Sequence, residues 1–193
     1  LRDQRKDIYY QLHFGAEYTT GKYGWTLNLE KIKKSVDWQL AMLKTDYIDF
    51  GFVHCIDEEA DLRKAAEGGT LDYMKELKEE GVIRHLALSS HTPKIVNMML
   101  DTGHIDMVMF SINPAYDLES PETDIYDLMD FKGMGENGWV VDEARQELYS
   151  YCESAGVAIT VMKPLAAGTL LSAEASPFGV AMTVPQCIQY ALD

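Results

Sequence analysis

The sequence predicts an α/β fold in which parallel strands alternate with helices, and three observations carry that prediction. Short apolar runs alternate with amphipathic helix patterns throughout the chain, and repeated strand, loop and helix units imply a parallel sheet. Residues 47–53 form a nearly continuous apolar run, as expected of a strand buried on both faces. Glycine follows several of the helix patterns, at the position that commonly ends a helix. Periodicity does not choose between an open doubly wound sheet and a closed barrel, but no Gly-x-Gly-x-x-Gly follows any predicted strand, which weakens a Rossmann interpretation.

The elements are predicted in order from apolar spacing. From Leu29 to Leu43 the apolar residues recur every three or four positions, which indicates one face of a helix, and Asn28 suits its N-cap. Residues 15–25 and a polar stretch at 57–61 are predicted loops. The predicted strands cover residues 8–12, 47–53, 82–89, 107–112 and 157–162, and the predicted helices cover residues 29–43, 71–78, 93–100, 145–154 and 185–192.

Composition limits the class of protein and of partner. The 193 residues are 47% hydrophobic and 25% charged, which is ordinary for a globular domain. The net charge of -14 argues against a nucleic-acid partner, because phosphate binding needs clustered Lys and Arg. Three dispersed cysteines form neither a disulfide framework nor a zinc ribbon, which favours a cytoplasmic protein. No apolar run is long enough to predict a membrane span or a signal peptide.

Both ends of the sequence predict a fragment. The chain opens on Leu1 rather than Met, and residues 184–193 form a helix pattern with Pro185 in its first turn and no glycine to end it. We therefore expect residues 1–193 to be the central part of one domain, inactive by itself.

Polar residues follow most of the predicted strands. In parallel α/β folds the functional groups lie at the carboxyl ends of the strands, so these residues predict a shared polar site. His54 is the strongest candidate, since an imidazole donates a hydrogen bond to a carbonyl or transfers a proton near neutral pH. A structural role for His54 stays equally open. His13 ends the preceding strand, and a metal ion held by the two histidines is a weaker alternative.

Five motifs, in one order, resemble those of the aldo-keto reductases. Residues 46–54, Asp-Tyr-Ile-Asp-Phe-Gly-Phe-Val-His, resemble the strand of that family that ends in the active-site histidine. Residues 71–84 resemble its helix-to-strand signature, and residues 87–91 and 110–114 resemble its Ser-Asn and Tyr-Asn-Pro strand ends. Residues 162–170, Met-Lys-Pro-Leu-Ala-Ala-Gly-Thr-Leu, resemble its phosphate-side loop. The combination leans towards the branch that often carries a C-terminal iron–sulfur segment.

The resemblance implies a (β/α)8 TIM barrel, incomplete here, with its first two and last two strands outside this chain. It implies an oxidoreductase that uses NADP(H), or NAD(H), to transfer hydride between the nicotinamide and a small aldehyde, ketone or alcohol. His54 would then orient the carbonyl, Ser89 and Ser90 would hold the carboxamide, and Met162 would replace the aromatic ring that stacks on the nicotinamide. The residues implied to contact the cofactor are Ser89, Ser90, Asn113, Met162, Lys163, Leu165, Ala167, Gly168 and Leu170.

Two departures from the family pattern keep alternatives open. His13 stands where the family has the Lys that lowers the pKa of a Tyr general acid. The family's Asp and Tyr would lie upstream of residue 1, whereas the strands for the 2′-phosphate and any iron–sulfur segment would lie beyond residue 193. The hypotheses are therefore an active reductase with altered chemistry at His13, a catalytically impaired cofactor-binding relative, or a metal-dependent barrel enzyme that uses His13 and His54. The long segment 116–141 is predicted to shape the substrate pocket.

Overall fold

The computed structural model confirms a parallel α/β fold. It describes residues 2–18, 20–121, 123, 125–131, 134 and 139–193. Within them, five strands form one parallel sheet, and two short strands form an antiparallel hairpin. The sheet contains, in spatial order, β1 (Gln11–Phe14), β4 (Ile48–Val53), β5 (Ile83–Ser89), β6 (Met107–Ser111) and β7 (Ala158–Met162); the hairpin pairs β2 (Ala16–Glu17) with β3 (Gly24–Trp25).

Helices connect the strands of the sheet. The α-helices are α1 (Leu29–Leu43), α2 (Glu59–Glu67), α3 (Thr70–Glu79), α4 (Pro93–Leu100), α5 (Ile125–Met129), α6 (Glu143–Ala155) and α7 (Val184–Leu192). Single-turn or longer 3-10 segments cover Arg2–Asp7, Tyr116–Leu118 and Ala166–Leu171. The predicted cap of α1 is confirmed, because the side chain of Asn28 accepts a hydrogen bond from the backbone N–H of Lys31 at 3.1 Å.

Three local predictions were wrong. The first strand begins at Gln11 rather than at residue 8, because residues 2–7 form a 3-10 helix and the ladder with β4 starts only at Gln11. Part of the predicted polar loop 57–61 belongs to α2, whose buried face consists of only Leu62 and Ala65. The predicted loop 15–25 contains the hairpin of β2 and β3, whose two-residue strands give no periodic signal.

The core lies between the sheet and its helices. Strand β4 is almost wholly buried and β5 is buried except at Arg84 and His85; the buried side chains of both strands pack with α1, α3, α4 and α6. A second, smaller cluster lies beyond the carboxyl ends of β6 and β7, where the 3-10 segments pack on α5 and α7. This second cluster supports the loops that follow those two strands.

Asp117 joins the loop after β6 to two helices. Its carboxylate is buried and accepts hydrogen bonds from Tyr149 of α6 at 2.7 Å and from Tyr190 of α7 at 2.9 Å. Arg145 of α6, also buried, donates to the same carboxylate at 3.3 Å and to the carbonyl oxygen of Ser111 at 3.1 Å. The end of β6, α6 and α7 are therefore held by one polar centre.

The described residues contain five parallel strands, whereas a complete (β/α)8 barrel has eight. In the described part of the chain, no helix combines the length and apolar character needed to cross a membrane. The segment predicted to shape the substrate pocket is described only in part, since residues 122, 124, 132–133 and 135–138 lie outside the described residues.

Candidate active site

The site is built along the edge where all five parallel strands end. His54 directly follows β4, and Ser90 directly follows β5. Asn113 lies two residues beyond β6, and Lys163 directly follows β7. Because the strands are parallel, these residues lie on the same edge of the sheet, as the sequence predicted.

His13 and His54 form a direct hydrogen bond. Their Nδ1 atoms are 2.8 Å apart, and the ring of His13 also stacks on Phe52 with ring centroids 5.0 Å apart. His13 lies within β1 rather than at its end, so its side chain is fixed by the strand. Two nitrogens that bind one zinc ion, each at about 2.0–2.1 Å, lie farther apart than the two Nδ1 atoms do here. The 2.8 Å distance between His13 and His54 therefore favours a hydrogen bond over a shared metal ion.

Both histidines are neutral at pH 7. Burial, and after it the proximity of His54, lowers the pKa of His13 from 6.5 to about 4. Burial and the neighbouring His91 lower the pKa of His54, while Asp57 acts in the opposite direction. A protonated His13, which would mimic the lysine of the family, is therefore disfavoured. In a neutral pair, one Nδ1 donates and the other accepts, so the tautomer of His13 decides which nitrogen of His54 carries its proton.

The hairpin that sequence analysis missed covers His54. The hydroxyl of Tyr23 is 3.0 Å from His54 Nε2, and the indole N–H of Trp25 donates to the carbonyl oxygen of His54 at 3.0 Å. Gly15 permits this approach: its φ is +120°, and a Cβ there would lie 3.0 Å from a backbone oxygen of Thr26 and 3.4 Å from Cβ of His54. Aromatic residues beside glycines, directly after the His13 strand, were the signal available in the sequence.

A second polar group links three loops of the same edge. Asp57 accepts hydrogen bonds from the backbone N–H of His91 at 2.6 Å and from the hydroxyl of Ser90 at 3.1 Å. Its other oxygen is 2.9 Å from His91 Nδ1. The Nε2 atom of His91 is 2.8 Å from Nζ of Lys163. Of these residues, sequence analysis assigned Ser90 and Lys163 to the cofactor and assigned no role to Asp57 or His91.

Burial changes the acidity of this second group. It lowers the pKa of Lys163, although Cys55 and Asp57 act in the opposite direction. Burial alone would raise the pKa of Asp57, but the hydrogen bonds from His91 and Ser90 outweigh it and keep that pKa below its ordinary value. For the Cys55 thiol, burial and then Asp57 raise the pKa to about 11. Ligand atoms of Cys55, Asp57 and His91 lie within 4.8 Å of one another, close enough to approach one metal ion.

The loops after β6 and β7 are joined by Asn113. Its side-chain amide donates to the carbonyl oxygen of Lys163 at 3.0 Å, and its side-chain oxygen accepts from the backbone N–H groups of Ala115 and Tyr116, both at 3.0 Å. Since Asn113 is fully buried, these bonds give it a supporting position beneath the site.

The segment after β7 is a tight turn. The φ angles of Lys163, Ala166, Ala167 and Gly168 are all positive. Ala167 is exposed, whereas the side chain of Leu170 is buried in the second cluster. No atom would lie within 4 Å of a Cβ added at Gly168, so space is open above the turn.

The model of the Aldo/keto reductase family matches residues 18–187. The chain belongs to this family. Its curated relatives include an uncharacterized oxidoreductase, YqkF, of Bacillus subtilis, 31% identical over 117 residues that cover 58% of this chain and 36% of the relative. L-galactose dehydrogenase of Arabidopsis thaliana is 26% identical over 152 residues, which cover 77% of this chain and 40% of that enzyme.

Solved structures agree with this membership. Aldo-keto reductase AKR11C1 from Bacillus halodurans, in its holo form, superimposes with a TM-score of 0.62 at 25% identity, covering 95% of this chain and 52% of that one. The glycerol dehydrogenase AKR11B4 from Gluconobacter oxydans, at 15% identity and a TM-score of 0.57, supports the fold alone and covers 96% of this chain and 48% of that one. The chain thus spans about half or less of the length of these relatives.

Within the aldo-keto reductase fold, the predicted site residues fall into three sets. His13 and His54 are in contact through their rings. Ser90 and Lys163 are joined through Asp57 and His91. The remaining predicted residues lie at the ends of β5, β6 and β7 or in the turn beyond β7; they are Ser89, Asn113, Met162, Leu165, Ala167, Gly168 and Leu170.

Proposed function

We propose that the protein containing this chain is an NAD(P)H-dependent oxidoreductase that interconverts a small aldehyde or ketone and its alcohol. The observation that carries the proposal is the position of His54 at the end of β4, with Nδ1 bonded to His13 and Nε2 facing the hairpin. Family membership supports oxidoreduction, and the turn after β7 supports cofactor binding.

In this proposal His54 orients the substrate. When Nδ1 of His13 carries a proton and donates it to Nδ1 of His54, the proton of His54 lies on Nε2. That Nε2–H is then free to donate a hydrogen bond to a carbonyl oxygen that displaces the hydroxyl of Tyr23. Such a donor stabilises the negative charge that develops on the oxygen. His13 acts as a positioning residue that selects the productive tautomer of His54.

The residues after β5 and β7 fit a nicotinamide dinucleotide. Ser89 would hold the carboxamide, and Met162 would contact the ring. The hydroxyl of Ser90 donates to Asp57, and the side-chain amide of Asn113 donates to the carbonyl oxygen of Lys163. We therefore propose that Ser90 and Asn113 support the cofactor site without contacting the cofactor. Lys163, Leu165, Ala167, Gly168 and Leu170 would line the pyrophosphate, mainly through backbone N–H groups. Hydride transfer is the chemistry that the cofactor supplies when bound; NADP(H) is the preferred form in the proposal, and NAD(H) is the other.

The proposal treats residues 1–193 as the central part of one barrel domain, so the activity belongs to the whole protein. A cytoplasmic location is proposed with it, because all three cysteines are free.

The first test is a titration with NADPH that follows tryptophan fluorescence, because Trp25 contacts the backbone of His54. Saturable one-to-one binding is expected, followed by NADPH oxidation with a panel of aldehydes and ketones. In His54→Asn we expect kcat to fall by about 10²-fold or more with unchanged NADPH affinity. His104→Asn is the matched control, because His104 is exposed and precedes β6 at the opposite edge of the sheet.

The outcomes separate the hypotheses. Binding without turnover would favour the impaired relative, and absence of NADPH binding by a folded protein would overturn the proposal. Turnover that is lost on chelation and restored by a divalent cation would favour the metal-dependent enzyme.

A further inference from the structure

Asp57, His91 and Lys163 are linked in series, and the proposed reduction does not use the link. Each residue comes from a different loop: Asp57 follows β4, His91 follows β5 and Lys163 follows β7. The two contacts of His91, 2.9 Å to Asp57 and 2.8 Å to Lys163, use both of its ring nitrogens. The arrangement is therefore a side chain with a reactive atom, a base in contact with it, and a carboxylate that orients the base.

The carboxylate fixes where the protons lie. An ionised Asp57 only accepts hydrogen bonds, so Nδ1 of His91 carries a proton and donates it to Asp57. In one state, Nε2 of His91 accepts a hydrogen bond from the Lys163 ammonium; in the other, Nε2 has taken the proton and Lys163 is a neutral amine. A single proton transfer connects the two states. Asp57 stabilises the imidazolium that results.

The surroundings hold the amine in place. Lys163 is half-buried, and its backbone φ of 56° lies in the left-handed region that non-glycine residues seldom occupy. Asn113 anchors the carbonyl oxygen of Lys163 at 3.0 Å. Burial favours the neutral amine over the ammonium, against the influence of Cys55 and Asp57. The neighbouring Cys55 thiol, with its pKa raised to about 11, stays protonated and is a poor competing nucleophile.

We propose that Lys163 is a reactive amine that condenses reversibly with small aldehydes, with His91 as its base and Asp57 as a positioning residue. The neutral amine of Lys163 attacks the carbonyl carbon, and the imidazolium of His91 gives its Nε2 proton to the carbonyl oxygen, which becomes a hydroxyl group. The neutral His91 then removes a proton from the attacking nitrogen and passes it to that hydroxyl, which leaves as water while the protonated imine forms. No oxidant, reductant or nicotinamide takes part in the condensation, which is therefore tested in the absence of the cofactor whose pyrophosphate Lys163 is proposed to line.

Reductive trapping tests the proposal on the purified protein. The protein is incubated with propanal and cyanoborohydride near pH 7.5, without nicotinamide, and propylation of each lysine is followed by peptide mass spectrometry. Lys34, which is exposed on α1, serves as the internal reference. We expect Lys163 to be labelled several-fold faster than Lys34 despite its lower exposure, because its amine contacts the base His91 at 2.8 Å and burial favours its neutral form.

Matched variants identify the base. His91→Asn keeps an amide near the position of Nδ1, where it can bond to Asp57, and removes the Nε2 atom that contacts Lys163. In this variant the labelling rate of Lys163 should fall to that of Lys34. Asp57→Asn keeps the shape of the carboxylate and removes its charge, and should flatten the pH dependence of labelling. Lys34→Arg should leave the labelling of Lys163 unchanged.

Equal labelling of Lys163 and Lys34 in a folded protein would overturn the proposal, as would an unchanged Lys163 rate in His91→Asn. The NADPH titration is read separately. A protein that binds no NADPH but labels at Lys163 would refute the proposed function alone, and the converse result would refute this inference alone.

Discussion

The half-buried His13 makes the stability of the fold depend on pH in a way that one substitution can isolate. Its pKa is lowered from 6.5 to about 4 in the folded protein, so the folded state resists protonation that the unfolded state accepts. Stability from this source is fully present above about pH 6.5 and is lost as the pH falls towards 4. Linkage with these two pKa values gives a loss of about 2–3 kcal/mol between about pH 7.5 and 4.5.

His13→Asn is the variant that isolates the effect, because asparagine keeps a polar group near Nδ1 and does not titrate. Urea unfolding followed by tryptophan fluorescence gives the free energy of unfolding of both proteins at several pH values. The wild type should lose about 2–3 kcal/mol more than the variant across this range. The pKa of His54 is lowered by burial and by His91, and both remain in the variant. The contribution of His54 to the pH dependence of stability is therefore the same in the two proteins and cancels in the difference between them. If the two stability curves run parallel, His13 is not held as a neutral imidazole in the folded protein and does not select the tautomer of His54.

Three further substitutions test the support of the site. Asn113→Ala removes the bonds to Lys163 and to two backbone N–H groups, so we expect unfolding to become about 2–4 kcal/mol easier and NADPH binding to weaken, measured by urea unfolding and titration. Gly15→Ala places a Cβ 3.0 Å from Thr26 in a left-handed backbone; we expect a loss of about 1–3 kcal/mol and a lower kcat, and unchanged values would contradict the close packing of the hairpin. Asn28→Ala removes the cap of α1 and should cost about 1 kcal/mol in thermal or urea unfolding while leaving NADPH affinity unchanged.

The sequence predicted the sheet because its strands are local apolar runs. The predictions for β4 to β7 agree with the structure to within one residue at each end. The sequence predicted that His13 and His54 lie close together, because parallel strands end on the same edge of a sheet. The hydrogen bond between the two side chains agrees with this prediction. Helix α2 was missed because its nine residues carry only two buried positions in a charged sequence, which leaves no apolar period to detect.

The partners of the site residues could not be predicted in the same way. The contact between Tyr23 and His54 depends on a hairpin made of two-residue strands. The link from Asp57 through His91 to Lys163 joins positions 34 and 72 residues apart, through side chains rather than backbone periodicity. Motif resemblance assigned Lys163 by position in the chain, but only the folded geometry gives it an imidazole neighbour.

The loop between β7 and α7 is secured at both of its ends. Asn113 bonds to Lys163 where the loop begins, the N–H of Met182 donates to the carbonyl oxygen of Leu170 at 2.8 Å, and Tyr190 of α7 is bonded to Asp117. The conformational entropy of this turn is therefore lost when the protein folds and not when a ligand arrives. A cofactor seated on the turn would meet a preorganised backbone, and its association should proceed in one kinetic phase without a slow ordering step.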